Sequence, residues 1–228
     1  MKAIRENVSR VREAMEEAAR RAGRRSEEIR LVAACKTVDV DRIQAAVEAG
    51  ITILGENYVQ EAMKKSEGLE KSVSWHFIGH LQKNKCKYAV KLFEMIHSVD
   101  SAALAEELNK RANLAGRRME VLVEVNLSGE ASKWGVKEED AAPLIRRISE
   151  LQNLSFRGLM TMPPFFDDPE ESRPYFVHLR TLGERIVGEG LASGSLELSM
   201  GMSSDFLVAI EEGATLVRVG TAIFGPRP

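Results

Sequence analysis

Apolar and polar positions fall in blocks along the chain, and the period of the blocks switches repeatedly between helix-like and strand-like. Over residues 1–23, Ile4, Val8, Val11, Met15 and Ala18 recur at three- and four-residue steps, one stripe of an amphipathic helix, and Gly23 supplies its stop signal. Short β-branched or apolar runs then alternate with helical patterns. The runs are IRLVAAC (29–35), ITIL (51–54), WHFIG (75–79), EMIHSV (94–99), MEVLVEVNL (119–127), LSFRGLM (154–160), LELS (196–199) and TLVRVG (215–220). Between them VDRIQAAVEAG, ENYVQEAMKKSEG, LQKNKCKYAVKLF, the stretch around Ser101 and Glu106, KEEDAAPLIRRISELQN, PEESRPYFVHLRTLGERIVGEG and SSDFLVAIEEG read as helices. Pro143 falls in the first turns of one of them, where proline is tolerated. About eight strand–helix alternations imply right-handed βαβ units and a parallel sheet.

With short loops, that count predicts an α/β fold, a TIM-like (β/α)8 barrel with one extra N-terminal helix, as a single domain over residues 1–228. The rival is an open doubly wound sheet. Against it, no GxGxxG follows the first strand and no GxxxxGK[ST] occurs anywhere. The least regular segment, TMPPFFDDPEES (161–172), reads as a flap-like loop after a strand.

Composition narrows the class. Hydrophobic residues make up 44% of the 228, enough for a sizeable core, and charged residues 29%. The formal net charge of −2 gives no electrostatic reason to expect nucleic acid or a membrane surface as partner. No apolar run approaches the ~20 residues of a membrane helix, and charges interrupt the N-terminus too often for a signal peptide. The cysteines, Cys35 and Cys86, form no CxxC pair, which fits a reducing, cytoplasmic setting without disulfides. His76 and His80 are four apart with Gly79 between them, a poor metal pair.

In a barrel, chemistry sits on the loops at the C-terminal ends of the strands. Lys36 ends the first strand in AACKT, and alternation places it on the face of Val32 and Ala34, opposite Cys35. A lysine closing an apolar barrel mouth is desolvated, which frees its amine as a nucleophile toward aldehydes. A lysine at a strand end can equally just reach solvent. The loops after strands seven and eight, SMGMSSD (199–205) and RVGTAIFG (218–225), occupy the usual phosphate position of this fold. Gly201 and Gly220 permit close backbone approach, Ser199, Ser203 and Thr221 add hydroxyls, and a helix opening near Ser203 and Ser204 adds its positive end. N-capping serines and turn glycines would read the same way. Arg218 sits inside the apolar LVRVG and must be paired or hydrogen-bonded, either to a ligand or within a structural ion pair. Asn57 either meets a ligand or caps a helix. Lys133, in SKWG, is a rival lysine without an apolar run to desolvate it, and Trp134 packs its loop.

Taken together, ACKT, GENYVQE, WHFIGHLQKNK, VNLSGEASKWG, GLMTM, LSMGMSSDF and VRVGTAIFG, in that order, make the sequence resemble the pyridoxal phosphate homeostasis protein family, small relatives of the alanine racemase N-terminal barrel. The resemblance covers nearly the whole chain. It implies that Lys36 holds pyridoxal 5′-phosphate (PLP) as a Schiff base. Ser199, Gly201, Met202, Ser203, Gly220 and Thr221 would surround the phosphate, Arg218 would face the pyridine nitrogen, and Asn57 would lie near the ring. Cys35 stands where relatives often carry serine or threonine, and TMPPFF differs from them in detail.

The resemblance also implies what is missing. Alanine racemases supply a second acid/base group as a tyrosine from a C-terminal β-domain, whereas this chain stops at Pro228 and its Tyr58, Tyr88 and Tyr175 fall in helical stretches. A cationic Arg218 would also leave the ring nitrogen unprotonated and weaken the electron sink. The expectation is a PLP carrier or regulator without robust turnover, a monomer, with apo-PLP enzymes as recipients. The alternatives are a PLP-dependent amino-acid racemase with an unidentified base, and a barrel for another phosphorylated metabolite.

Overall fold

A computed structural model describes residues 2–69, 73–130 and 133–226. Its strands are β1 (Arg30–Ala34), β2 (Ile53–Glu56), β3 (Ser74–Phe77), β4 (Met95–Val99), β5 (Met119–Glu124), β6 (Leu154–Met160), β7 (Glu197–Ser199) and β8 (Leu216–Val219). They are parallel and close into a barrel in chain order. β8 seals against β1 with Arg30 opposite Leu216 and Val32 opposite Arg218. The outer ring is α2 (Val40–Glu48), α3 (Val59–Glu67), α4 (Cys86–Leu92), α5 (Ala102–Leu114), α6 (Glu138–Ser149), α7 (Arg173–Gly188), α8 (Phe206–Glu211) and α9 (Thr221–Phe224), preceded by α1 (Lys2–Arg21). Ala131 and Ser132 of the SKWG loop, and Arg227 and Pro228, lie outside the described residues.

Side-chain alternation sorts the core into two layers. Val32, Ile53, Ile78, Met95, Leu122, Met160 and Leu216 pack together inside the barrel. Their neighbours in sequence, such as Ala33, Leu54, Phe77, Ile96, Val121 and Val217, belong to the larger core beneath the helices. The inward parity also carries polar residues toward the mouth: His76, His97, Glu124, Ser199 and Arg218, all buried. The apolar stripe of α1 is buried as its spacing predicts. α1 packs across α8, α9 and α2 rather than standing apart.

Three local readings change. β2 runs over 53–56 instead of 51–54, because Glu56 is buried beneath α3, where Lys65 neutralises it. The helix after β7 opens at Phe206 rather than near Ser203 and Ser204, because Asp205 turns back to accept a hydrogen bond from Met202 N at 2.6 Å. The four-residue α9 is too short to show a period. Among the described residues no helix is long and apolar enough to cross a membrane.

Candidate functional site

A cavity of about 320 Å³ opens at the C-terminal end of the barrel. Lys36, Asn57, Met202, Ser203, Arg218, Gly220 and Thr221 all line it, so seven of the nine residues singled out in the sequence meet in one place. Lys36 follows β1 by two residues and keeps the inward parity of Val32 and Ala34, while Cys35 points outward, its Sγ 3.4 Å from Gly55 O. Burial pushes the Cys35 thiol well above its ordinary value, which leaves it protonated and inert. Thr37 has φ 63°, the one non-glycine residue with positive φ among those described. Left-handed backbone at a threonine is strained and persists only where its surroundings hold it.

Here they do. The Thr37 N–H donates to Glu61 Oε1 at 2.8 Å. Glu61 also receives Lys65 Nζ at 2.8 Å, and Lys65 Nζ reaches Cys35 O at 2.6 Å and Glu56 Oε1 at 2.5 Å. The other oxygen of Glu56 accepts from Asn57 N at 2.9 Å. Burial works to lower the Lys65 pKa, but the hydrogen bonds to Glu56 and Glu61 outweigh it, so the ammonium is held above its usual range. This ion cluster behind β1 and β2 fixes both the Lys36 turn and the Asn57 loop.

Ser199 and Gly201 do not line the cavity. Ser199 lies wholly buried beneath Arg218, whose Nη1 donates to its Oγ at 2.7 Å, while Nη2 donates to Thr161 O at 2.9 Å. Gly201 has φ +89°, and a Cβ there would sit 2.5 Å from the Cβ of Ala209. Close packing against α8 by itself requires glycine at 201. The hydroxyls that do reach the cavity are Ser203, Ser204, Thr37 and Thr221. Ser203 Oγ accepts from Gly220 N at 3.1 Å and Ala222 N at 3.2 Å, tying the β7 and β8 loops together. Met162 and Phe165 of the irregular 161–172 segment complete the rim.

Arg218 heads a buried polar chain that the sequence did not suggest. His97 Nδ1 is 2.9 Å from Ser199 Oγ, and His97 Nε2 is 2.9 Å from His76 Nδ1. Arginine only donates. Ser199 Oγ therefore accepts from it, which leaves the serine hydroxyl hydrogen free to be donated to His97 Nδ1. In that arrangement His97 carries its hydrogen on Nε2 and donates to His76 Nδ1. Burial drives both imidazoles neutral: His76 falls to about 3 and His97 well below its ordinary value. Burial lowers Arg218 to about 10, which still leaves it a cation at neutral pH. His97 went unnoticed because it sits in the apolar run EMIHSV, yet a histidine at inward parity was the available signal.

The rival Lys133 does not line this cavity; its Nζ is 3.6 Å from Glu130 Oε1 and 3.4 Å from Met162 O. His76 and His80 diverge: His76 enters the barrel, and His80 stacks on Trp134.

The family model for the alanine racemase N-terminal domain matches residues 1–228. The pyridoxal phosphate homeostasis protein of Aquifex aeolicus (strain VF5) is 46% identical over 223 residues, covering 97% of each chain. That of Escherichia coli (strain K12) is 37% identical, covering 100% of this chain and 98% of the relative. The chain belongs to the pyridoxal phosphate homeostasis protein family. Within and around that family, the structure is similar to PipY of Synechococcus elongatus PCC7942 solved with PLP bound (TM-score 0.81, 38% identity, 87% of this chain and 93% of that one). It also shares its fold with the alanine racemase of Clostridium difficile 630 in complex with cycloserine (TM-score 0.75, 15% identity), of which it spans 60%. For a member of the pyridoxal phosphate homeostasis protein family, the racemase likeness speaks to the barrel alone.

Proposed function

We propose that this barrel binds PLP at its C-terminal mouth, tethered to Lys36, and holds or hands on the cofactor without robust turnover. The observation that carries the reading is the convergence of Lys36, Arg218, Ser203, Gly220 and Thr221 on one cavity. The donor set fits the group: an amine for an aldehyde, a buried permanent cation for a pyridine nitrogen, and hydroxyls with loop backbone for a phosphate. The volume lies within the range of small-molecule sites. The PLP-bound relative and the names of the curated relatives support the same assignment.

When bound, PLP supplies an electron sink whose strength depends on protonation of its ring nitrogen. The residues of this chain work against that strength. Arg218 has no proton to give up at neutral pH, and its anchors Ser199 and Thr161 hold it in place. Asn57 and Met202 flank the cavity, and Ile78 and Phe224 add apolar wall to it. No described tyrosine lines the Lys36 cavity, and Tyr58 is 62% exposed. A cation at the ring and no tyrosine among the described residues of the Lys36 cavity favour a carrier over a racemase. The single barrel over residues 1–228 is proposed as the whole binding unit, acting as a cytoplasmic monomer with apo-PLP enzymes as recipients.

The test is the absorbance spectrum of the purified protein with and without borohydride, followed by peptide mass spectrometry. A reduced adduct on Lys36, absent in Lys36→Ala, is expected. An unchanged spectrum in Lys36→Ala, or an adduct on Lys133, sinks the assignment. Holo-protein mixed with an apo-PLP enzyme and a PLP trap should activate the enzyme faster than released PLP does. Cα proton–deuterium exchange of amino acids at catalytic rates would instead establish a racemase, and light scattering checks the monomer.

A further inference from the structure

A second cavity, of about 390 Å³, adjoins the first and shares Asn57, Ile78 and Met162 with it. Val59, Phe77 and Leu81 give it apolar walls, and the half-buried Lys85 also lines it. Glu124 reaches it from the inner face of β5. Only 4% of Glu124 is exposed, and its wholly buried Oε2 has no hydrogen-bond partner. A buried acceptor left without a donor is costly, and more so when charged. Burial and the field of Asp100 both bear on this carboxyl, and Arg218 opposes them from the neighbouring cavity. His80 and Trp134 also line the cavity, their rings stacked 3.5 Å apart and 12° from parallel. Trp134 is 55% exposed, and an open indole face attracts cations.

An unpartnered carboxyl, a second acid nearby and an aromatic face favour a cation at Glu124, against the charge of Lys85 elsewhere in the lining. We propose that this cavity binds a small molecule whose protonated amine donates to Glu124 and whose short apolar stem lies against Phe77, Ile78 and Leu81. A ligand carrying only a carboxylate is repelled by Glu124 and Asp100. The site is distinct from the Lys36 cavity, although a bound amine would stand beside whatever Lys36 holds.

The probe is n-butylammonium, with n-butanol and butyrate as controls, titrated by calorimetry. One arm uses the cofactor-free protein. The other uses protein loaded with PLP and reduced with borohydride, so that the amine cannot react with the cofactor. Saturable binding of butylammonium in both arms, about tenfold tighter than butanol and reduced about tenfold by Glu124→Gln, is expected for a lost charge-assisted hydrogen bond. Binding that Glu124→Gln leaves unchanged, or that butanol equals, overturns the proposal. Should Glu124→Gln fail to fold, wild-type protein labelled with carboxyl-13C glutamate serves instead. One buried carboxyl resonance must then move with butylammonium and not with butanol, and an unmoved resonance overturns the site. Because the cofactor-free arm needs no PLP, failure of PLP loading and failure of amine binding are read separately.

Discussion

Buried ionisable groups inside the barrel give the protein two opposite pH dependences. Burial raises Glu124 from its ordinary value to about 7, with Asp100 adding to the shift. The folded state therefore binds its proton more tightly than the unfolded chain does. That contribution is intact in acid and is lost as pH rises from the unfolded value through about 7, on the order of 3 kcal/mol in all. His76 and His97 act with the other sign. Their folded values are depressed, so stability is intact above the unfolded imidazole value and falls as pH drops toward the folded one, about 3 for His76. Because the two windows overlap between about pH 4.5 and 6.5 and partly cancel, Glu124→Gln should steepen the fall in stability that urea unfolding reads as pH drops from about 7 toward 4. A variant whose pH profile matches the wild type would show that Glu124 contributes nothing in this window. The direction of the Arg218–Ser199–His97–His76 chain has its own readout. Nitrogen-15 spectra should find both imidazoles neutral with hydrogen on Nε2, and Ser199→Ala should release His97 from that single tautomer.

The turn after β1 and the loop after β2 share one support, the Lys65 cluster. Lys65→Met leaves Glu56 buried without its cation, so a loss of about 3–5 kcal/mol is expected, measured by urea unfolding. PLP retention should fall with it, because the Thr37 turn loses its hold. At the end of β3, a Cβ on Gly79 would lie 2.6 Å from Asn57 O. Gly79→Ala should therefore push Asn57 out of register and weaken PLP binding, read as a faster loss of cofactor on dialysis.

These same places mark where sequence reading stopped. The eight runs were legible because strand alternation and helical period are local signals. β2 was displaced because Glu56 looks like a helix-entry acid, and its buried partner Lys65 lies nine residues away across a helix turn. Lys36 and Arg218 were legible as charged residues in apolar runs at strand ends. Glu124 stands likewise in MEVLVEVNL, but nothing local tells an inward acid from an outward one without the register. Ser199 and Gly201 were assigned to the phosphate side on residue type, whereas one anchors Arg218 and the other packs on Ala209.

The barrel closes where the early and late parts of the chain meet, and α1 clasps that seam. Asn7 Nδ2 donates to Ile223 O at 2.8 Å, Arg24 Nη1 reaches Ile210 O and Ala214 O, and Arg21 pairs with Glu211 at 2.8 Å. Met15, buried in the α1 stripe, should cost about 2–5 kcal/mol when truncated to alanine. Asn7→Ala should cost about 1 kcal/mol yet loosen α9, whose Thr221 lines the cavity, so PLP affinity should drop by more than the stability change explains.

The β1–β8 pairing also sets an order of events during synthesis. Ala34, Lys36 and Val38 form one wall of the cavity, and residues 202–226 form the other. Until the second wall is made, the first faces only Asn57, Ile78, Met162 and Phe165. Pairings this distant in sequence form late. A chain that has not yet made this second wall accordingly offers its ligand no complete pocket.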